Sequence, residues 1–540
     1  MSSHDVDRRF SPSPIFRLWF PSSLELNMKC GRLLLSTLLT SLVLFGGVAV
    51  AIQPTPIGLF EGTGDVGVVK HQGAVLYDPV QQTYTISGAG TNMWAHNDEF
   101  HFAWKKMTGD FILTADMKLL GKGVDPHRKI GWMIRTSLEG TSAYVDVAVH
   151  GDGLTSMQYR AKATEETFEV GSAIRAPDVV QLERRGGNYY MAVANRGEAF
   201  TANELESVEL PDEVYVGLFV CSHNADEVET AQFSNVRITQ PAPAGLVQYS
   251  QYIGSRLEVM DVATGHRRVL HTVADSLQAP NWSRDGKSLI YNRNGKLYRF
   301  DLASNAIEEL NTDFADRNNN DHVISTDGKR IAISHHSKEH NGDSHIYVVP
   351  IEGGTPRMVT KLAPSYLHGW SPDDQWLVYT GGRDGHWDIY KTRANGSEDE
   401  VRLTNHASLQ DGAEFAPDGE LIFYNSSQSG AMEVWQMKAD GSDHRQITND
   451  RLNNWFPHPS PDGSKMVILT FGSEVAAEDH PFYQPVTLRL IDMANVGNGE
   501  VKPRVIAYLY GGQGTINVPS WSPDGKSIAF VSNSVIELKE

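Results

Sequence analysis

One hairpin signal recurs through the C-terminal half of this 540-residue chain. The copies are Ser283-Arg284-Asp285-Gly286, Ser325-Thr326-Asp327-Gly328, Ser371-Pro372-Asp373-Asp374, Ala416-Pro417-Asp418-Gly419, Ser460-Pro461-Asp462-Gly463 and Ser522-Pro523-Asp524-Gly525. Their first residues lie 42, 46, 45, 44 and 62 positions apart, which is the period of a four-stranded propeller blade. Six copies predict six blades. In the fuller copies Pro fixes φ at the first corner, Asp accepts backbone hydrogen bonds and Gly supplies a positive φ. Asp374 is the one departure at the fourth position, and Asp tolerates the left-handed region.

Apolar residues flank these turns. Trp282, Trp370, Phe415 or Trp521 precede them, and alternating runs such as Ser288 to Tyr291 and Ser527 to Phe530 follow, which is strand patterning of period two. A third strand is visible in Lys296 to Asp301, His345 to Val349, Asp388 to Lys391, Glu433 to Met437 and Thr487 to Asp492. The sixth motif lies too near residue 540 to complete a blade. Its missing strands occur before the first motif, in Arg256 to Asp261 and His266 to Leu270. Residues 245–540 are therefore expected to close as a ring whose two ends share one blade. The repeat resembles that of TolB-like six-bladed propellers, with a P-x-W-S-P-D-G hairpin matched by Pro519, Trp521 and Ser522 to Gly525. That resemblance implies a fold and very little about function, because such propellers serve both as binding scaffolds and as enzymes.

Residues 55–240 lack the repeat. Strand-like runs follow one another from Thr83 to Ile238 without an amphipathic helix, predicting a β-sandwich. Glu99 to Phe111, Gly131 to Arg135 and Ala231 to Arg237 resemble concanavalin-like jelly-roll domains, including those attached to carbohydrate-active proteins. The expected fold class is thus all-β, a concanavalin-like jelly-roll sandwich followed by a six-bladed β-propeller. Gln240 to Gly245 reads as a Pro/Ala linker between them.

Residues 1–51 read as an N-terminal extension and signal peptide. Lys29 and Arg32 precede an apolar run from Leu33 to Val50 that ends in Ala49-Val50-Ala51, a pattern cleaved after the last small residue. Met28 is the expected start, cleavage follows Ala51, and the mature chain is periplasmic or secreted without a membrane span. An uncleaved anchor is the competing reading, since the run is nearly long enough to span. The only cysteines are Cys30 and Cys221, so no internal disulfide is expected, and Cys221 in its alternating strand reads as a core thiol. A formal charge of −19 argues against nucleic acid and anionic membrane surfaces as main partners. A protein or glycan ligand at the channel mouth is the partner expected.

No H-E-x-x-H, G-x-S-x-G, C-x-x-C or phosphate-binding loop occurs. Any chemistry must come from inner strands converging on the propeller channel. There His322 and His368 lie three residues before their turns and His458 two, with Asp411, Glu414, Asn320, Asn454 and Asn517 in the same zone. Imidazole plus carboxylate is a ligand set for a divalent metal such as Mn, Ca or Zn, with His322, His368 and His458 as the candidate ligands. Polar groups here also hydrogen-bond one another or line a water-filled channel, and this is the default reading. Metal-dependent oligogalacturonate lyases are similar in broad architecture. Their blade number differs and their ligand cluster has no counterpart here, so no residue role is carried over. Arg383 is a candidate partner for a ligand carboxylate. His335, His336, His340 and His345 read as a solvated hairpin, and Trp94 and Trp387 as packed rings that could instead stack on sugars. The leading expectation is an exported binding or scaffold protein. The alternative is a metal-assisted lyase or glycoside hydrolase.

Overall fold

The computed structural model describes residues 57–206, 208–499 and 501–537. The expected export signal, its cleavage after Ala51 and Cys30 lie outside the described residues. Among them the only helical turns are two short 3-10 segments, Lys338–His340 and Met493–Asn495, and no helix is long and apolar enough to cross a membrane. The rest is antiparallel sheet.

Six blades form the C-terminal part. The first runs Gln278–Trp282, Ser288–Arg293, Lys296–Asp301 and Ile307–Leu310, and four more of the same four-strand order follow, ending at Arg504–Gly511. The sixth contains both ends of the segment: Ser527–Ser534 pairs with Gly254–Asp261, which pairs with Arg267–Val273. A single bridge from Trp521 to Ile528 supplies the innermost position. Each end thus gives two strands.

The hairpin signal works as its chemistry requires. In five copies the Ser hydroxyl donates to the Asp carboxylate and accepts the N–H five residues on, as for Ser522 with Asp524 and Ser527. Gly286, Gly328, Gly419, Gly463 and Gly525 all have φ between 69° and 77°. Asp374 takes φ 58°, and its carboxylate accepts the N–H groups of Thr326 and Asp327 in the neighbouring hairpin at 2.6 and 2.8 Å. Here the departure from Gly adds a bond between blades. Trp370 and Trp521 likewise donate from the indole to carbonyls of the preceding blade, Val323 and His458.

Residues 62–239 hold two seven-stranded antiparallel sheets. One is ordered Gly62–Val66, Phe100–Met107, Val214–Cys221, Lys129–Arg135, Tyr144–His150, Thr155–Arg160 and Phe168–Gly171. The other is ordered Thr201–Leu205, Asn188–Ala194, Val179–Arg185, Phe111–Leu120, Asn224–Thr239, Thr83–Gly90 and Ala74–Asp78. They share an apolar core around Trp132, Phe111, Leu182 and Phe233. Cys221 is buried and unpaired, and burial pushes its thiol up to about 11, which suits a core residue rather than a nucleophile.

These sheets pack on the fifth and sixth blades. Gln82 exchanges two hydrogen bonds with the backbone of Val269, and Phe200 stacks on Tyr508 at 4.0 Å. At the centre Glu258, fully buried, accepts from Arg237 at 2.6 Å, from Arg267 at 3.0 Å and from the Ser532 hydroxyl. Burial would raise this carboxyl, yet the two guanidinium groups and their hydrogen bonds hold it well below the usual carboxylate range. Its contribution to stability is therefore complete above the unfolded value near pH 4 and is lost only in stronger acid. Glu258→Gln leaves the arginines without their counter-charge, and should lower stability by about 3–5 kcal/mol. Urea denaturation at neutral pH, followed by intrinsic fluorescence, checks this; an unchanged midpoint would contradict it.

Candidate binding site in the propeller channel

Inner strands of five blades contain extra residues, two in the second blade and one in each of the other four. Register breaks fall between Gln278 and Asn281, Asn318 and His322, Leu367 and Gly369, Asp411 and Glu414, and Trp455 and His458. Ala279, Gly412 and Phe456 adopt φ of 53°, 62° and 54° at these places. Because side chains alternate along a strand, one inserted residue moves those before it to the opposite face from that expected by counting back from the turn. In five of the six blades the residue that faces the channel stands five positions before the motif. Gln278, Asn320, Tyr366, Asp411 and Asn517 occupy that position in five blades, and all line one cavity of about 870 Å³. The fifth blade contributes Phe456 instead. The cavity lies at the start of the inner strands, and the hairpin turns stand at their far ends.

The candidate residues separate accordingly. His368 lines the cavity and donates from Nε2 to Asp411 Oδ1 at 2.9 Å, where the Thr380 hydroxyl also donates at 2.6 Å. Burial opposes charge on His368, but Asp411 outweighs it and raises the imidazole. Asp411 is likewise held below the usual range, by His368 against burial. His322 is fully buried between blades, with Nε2 on the Ile290 carbonyl, and burial lowers it to about 4. His458 spans Glu414 Oε2, 2.6 Å from Nδ1, and the Ile516 carbonyl on Nε2. Both of its nitrogens are engaged within the fold. Burial raises the Glu414 carboxyl. Asn454 is buried among Glu433, Thr470, Asp450 and Arg489.

Thus the three histidines proposed as one ligand set are not brought together. Only His368 reaches the channel, and among the described residues no group of three or more His, Cys, Asp or Glu side chains is placed to hold a metal ion. Arg383 is also committed internally: it forks onto Glu400 at 2.8 and 2.7 Å and donates to the Pro364 carbonyl at 2.6 Å. His335 and His345 are buried rather than solvated, while His336 lines the cavity.

Counting from the turns misses much of the wall. Glu478, His480 and Phe482 come from the segment between Lys465–Phe471 and Gln484–Asp492, part of the extra length behind the 62-residue spacing. His480 Nε2 lies 3.8 Å from Asp411 Oδ2, and its ring packs edge-on against Trp455 at 4.4 Å. Tyr249 and Tyr252, beyond the expected linker, meet the Phe482 ring at 5.3 and 5.7 Å. Tyr366 and Trp387 lie 6.0 Å apart. The wall carries the carboxylates of Asp316, Asp321, Asp411 and Glu478, and Arg317 is its one Arg or Lys.

The sequence comparisons agree with the fold. A family model described as the TolB beta propeller domain matches residues 361–479. An uncharacterized protein of Agrobacterium fabrum (strain C58) is 44% identical over 284 residues, 52% of this chain and 94% of the relative. The chain belongs to the TolB β-propeller family. A solved Agrobacterium tumefaciens protein provisionally described as TolB is 42% identical, with a TM-score of 0.49, and the match covers 53% of this chain and all of that one. TolB of Acinetobacter baumannii is 14% identical, with a TM-score of 0.38 over 62% of this chain and 80% of its own.

Asp321 stands out in this TolB-like channel. Burial first, then the charge of Asp411, raises its carboxyl to about 6, while His368 and a hydrogen bond from Asn319 act the other way. A raised carboxyl binds its proton more tightly folded than unfolded, so Asp321 destabilises the fold progressively as pH rises from about 4 to 6. Asp321→Asn should therefore raise stability at pH 8 by on the order of 2 kcal/mol, a gain that vanishes below about pH 4. Denaturation of both proteins across pH 4 to 8 checks this; a difference independent of pH would contradict it.

Proposed function

We propose that the protein is an extracytoplasmic binding or scaffold protein that receives a protein or glycan ligand in the mouth of its propeller channel. The observation that carries this reading is the cavity of about 870 Å³, where five blades place equivalent residues on one wall and Tyr249, Tyr252 and Trp387 remain partly exposed. Concave sites with aromatic surface and a few convergent polar groups are where ligands bind. Membership of the TolB propeller family supports a binding or scaffold role. The export signal read from Lys29 to Ala51 supports a periplasmic or secreted location.

Within this reading the chain has two domains, a concanavalin-like jelly roll over 55–240 and the propeller over 245–540. The sandwich orients the propeller through the Glu258 cluster and leaves the channel mouth open.

Photo-crosslinking in cells that make the protein tests this. With p-benzoylphenylalanine at position 387, on the cavity rim, a discrete adduct is expected. The same group at position 329, exposed on a hairpin at the far end of an inner strand, should give none. No adduct from 387, or the same adducts from both positions, would overturn the reading.

A further inference from the structure

The four cavity carboxylates are not equivalent. Asp316 faces Lys338 at 3.8 Å, Asp411 is bonded to His368, and Glu478 accepts the Leu409 N–H at 3.2 Å and the Ser427 hydroxyl at 2.7 Å. Asp321, only 5% exposed, accepts one side-chain hydrogen bond, from Asn319 Nδ2 at 2.6 Å, and forms no ion pair among the described residues. A carboxylate offers about four acceptor positions. Beside it Asn320, 4% exposed and on the cavity wall, has an Nδ2 without any hydrogen-bond partner. Buried polar groups in folded proteins are ordinarily satisfied, and those left open call for a partner.

The surroundings say what kind of partner. Tyr366 shares the wall with Asp321, and after burial its phenol is pushed up to about 12 by Asp321, Asp343 and Asp411, so negative potential converges on this ring. Trp387 lies beside it. Arg317, the one guanidinium of the wall, is exposed. Anionic carboxylate together with aromatic faces is the environment that holds a cation. The unpaired amide N–H of Asn320 adds a donor for a carbonyl or hydroxyl on the same ligand.

We propose that the channel cavity is an alkylammonium site. Asp321 takes the ammonium group, Tyr366 and Trp387 cover its methylene chain, and Asn320 Nδ2 donates to a neighbouring oxygen. The ammonium belongs either to a free amine or to a lysine side chain of a protein partner. This inference rests on the channel being the ligand site and adds the chemistry it selects.

Calorimetric titration of the purified protein tests it with pentylammonium chloride and N-acetyl-lysine methylamide, each against its neutral counterpart, 1-pentanol and N-acetyl-norleucine methylamide. At least one cationic probe should bind at least tenfold more tightly than its counterpart. Tighter binding of the lysine derivative assigns the site to a protein side chain, and equal or tighter binding of pentylammonium assigns it to a free amine. Asp321→Asn should weaken the cation at least tenfold while melting no lower than the wild type, which separates lost recognition from lost folding. Trp387→Ala, at an exposed position, should weaken it severalfold and provides the comparison if Asp321→Asn fails to fold. No binding of either cation, equal binding of the neutral probes, or unchanged affinity in Asp321→Asn overturns the proposal. A position-387 adduct in cells together with failure of the cation probes refutes the ammonium chemistry and leaves the channel as the ligand site. Selective cation binding without an adduct refutes the cellular role instead.

Discussion

A ring of sheets holds only if its ends meet, and here they meet in one blade. The pairing of Gly254–Asp261 with Ser527–Ser534 removes the two open edges that an unclosed row of blades would present. Those strands are remote in sequence, so loop-closure entropy opposes their meeting until the intervening blades have formed. Glu258 sits at this seam. It joins Arg267 from the next strand, Ser532 from the returning C-terminal strand and Arg237 from Asn224–Thr239, the last strand of the preceding sheets. One buried carboxylate therefore ties the closure of the propeller to the docking of the sheets before it.

The propeller was legible because its turns are chemically explicit. A Ser hydroxyl, an Asp carboxylate and a residue at positive φ specify a hairpin locally, and repetition at about one blade length specifies the architecture. The closing strands followed from the incomplete last repeat. Among residues 62–239 the central, apolar strands such as Val214–Cys221 were visible from alternation, but Thr155–Arg160 and Phe168–Gly171 were not. Thr155–Arg160 is polar and nearly all buried, and Phe168–Gly171 is a largely exposed edge strand. Neither offers the apolar alternation on which strand recognition depends.

The channel was legible as a place and not as a set of residues. Counting back from the turns treats an inner strand as uninterrupted, and the bulges in five of them change which side chain faces inward. His322 and His368, both three residues before their motifs, illustrate the failure: one is sealed against the Ile290 carbonyl and the other reaches Asp411 in the cavity. Bulges without a glycine leave little mark in sequence; Ala279 and Phe456 carry positive φ with ordinary side chains. His480 did leave one. A fifth spacing of 62 where the others are 42 to 46 indicates inserted chain, and part of that insertion folds over the channel.

Comparison of two buried carboxylates separates scaffold from site. Glu258 is surrounded by guanidinium groups and is held in its charged form, so its burial is compensated within the fold. Asp321 is also buried, yet its counter-charge is limited to His368, which is already engaged with Asp411. Folding alone gains nothing from such a residue, because replacing it with its amide would relieve the cost of burying charge. A feature that costs stability and faces a cavity is where sequence and stability pull apart, and this occurs at functional sites. The interior of the propeller thus divides by electrostatic compensation: where the protein supplies its own counter-charge it builds structure, and at Asp321 it leaves that charge for a ligand to supply.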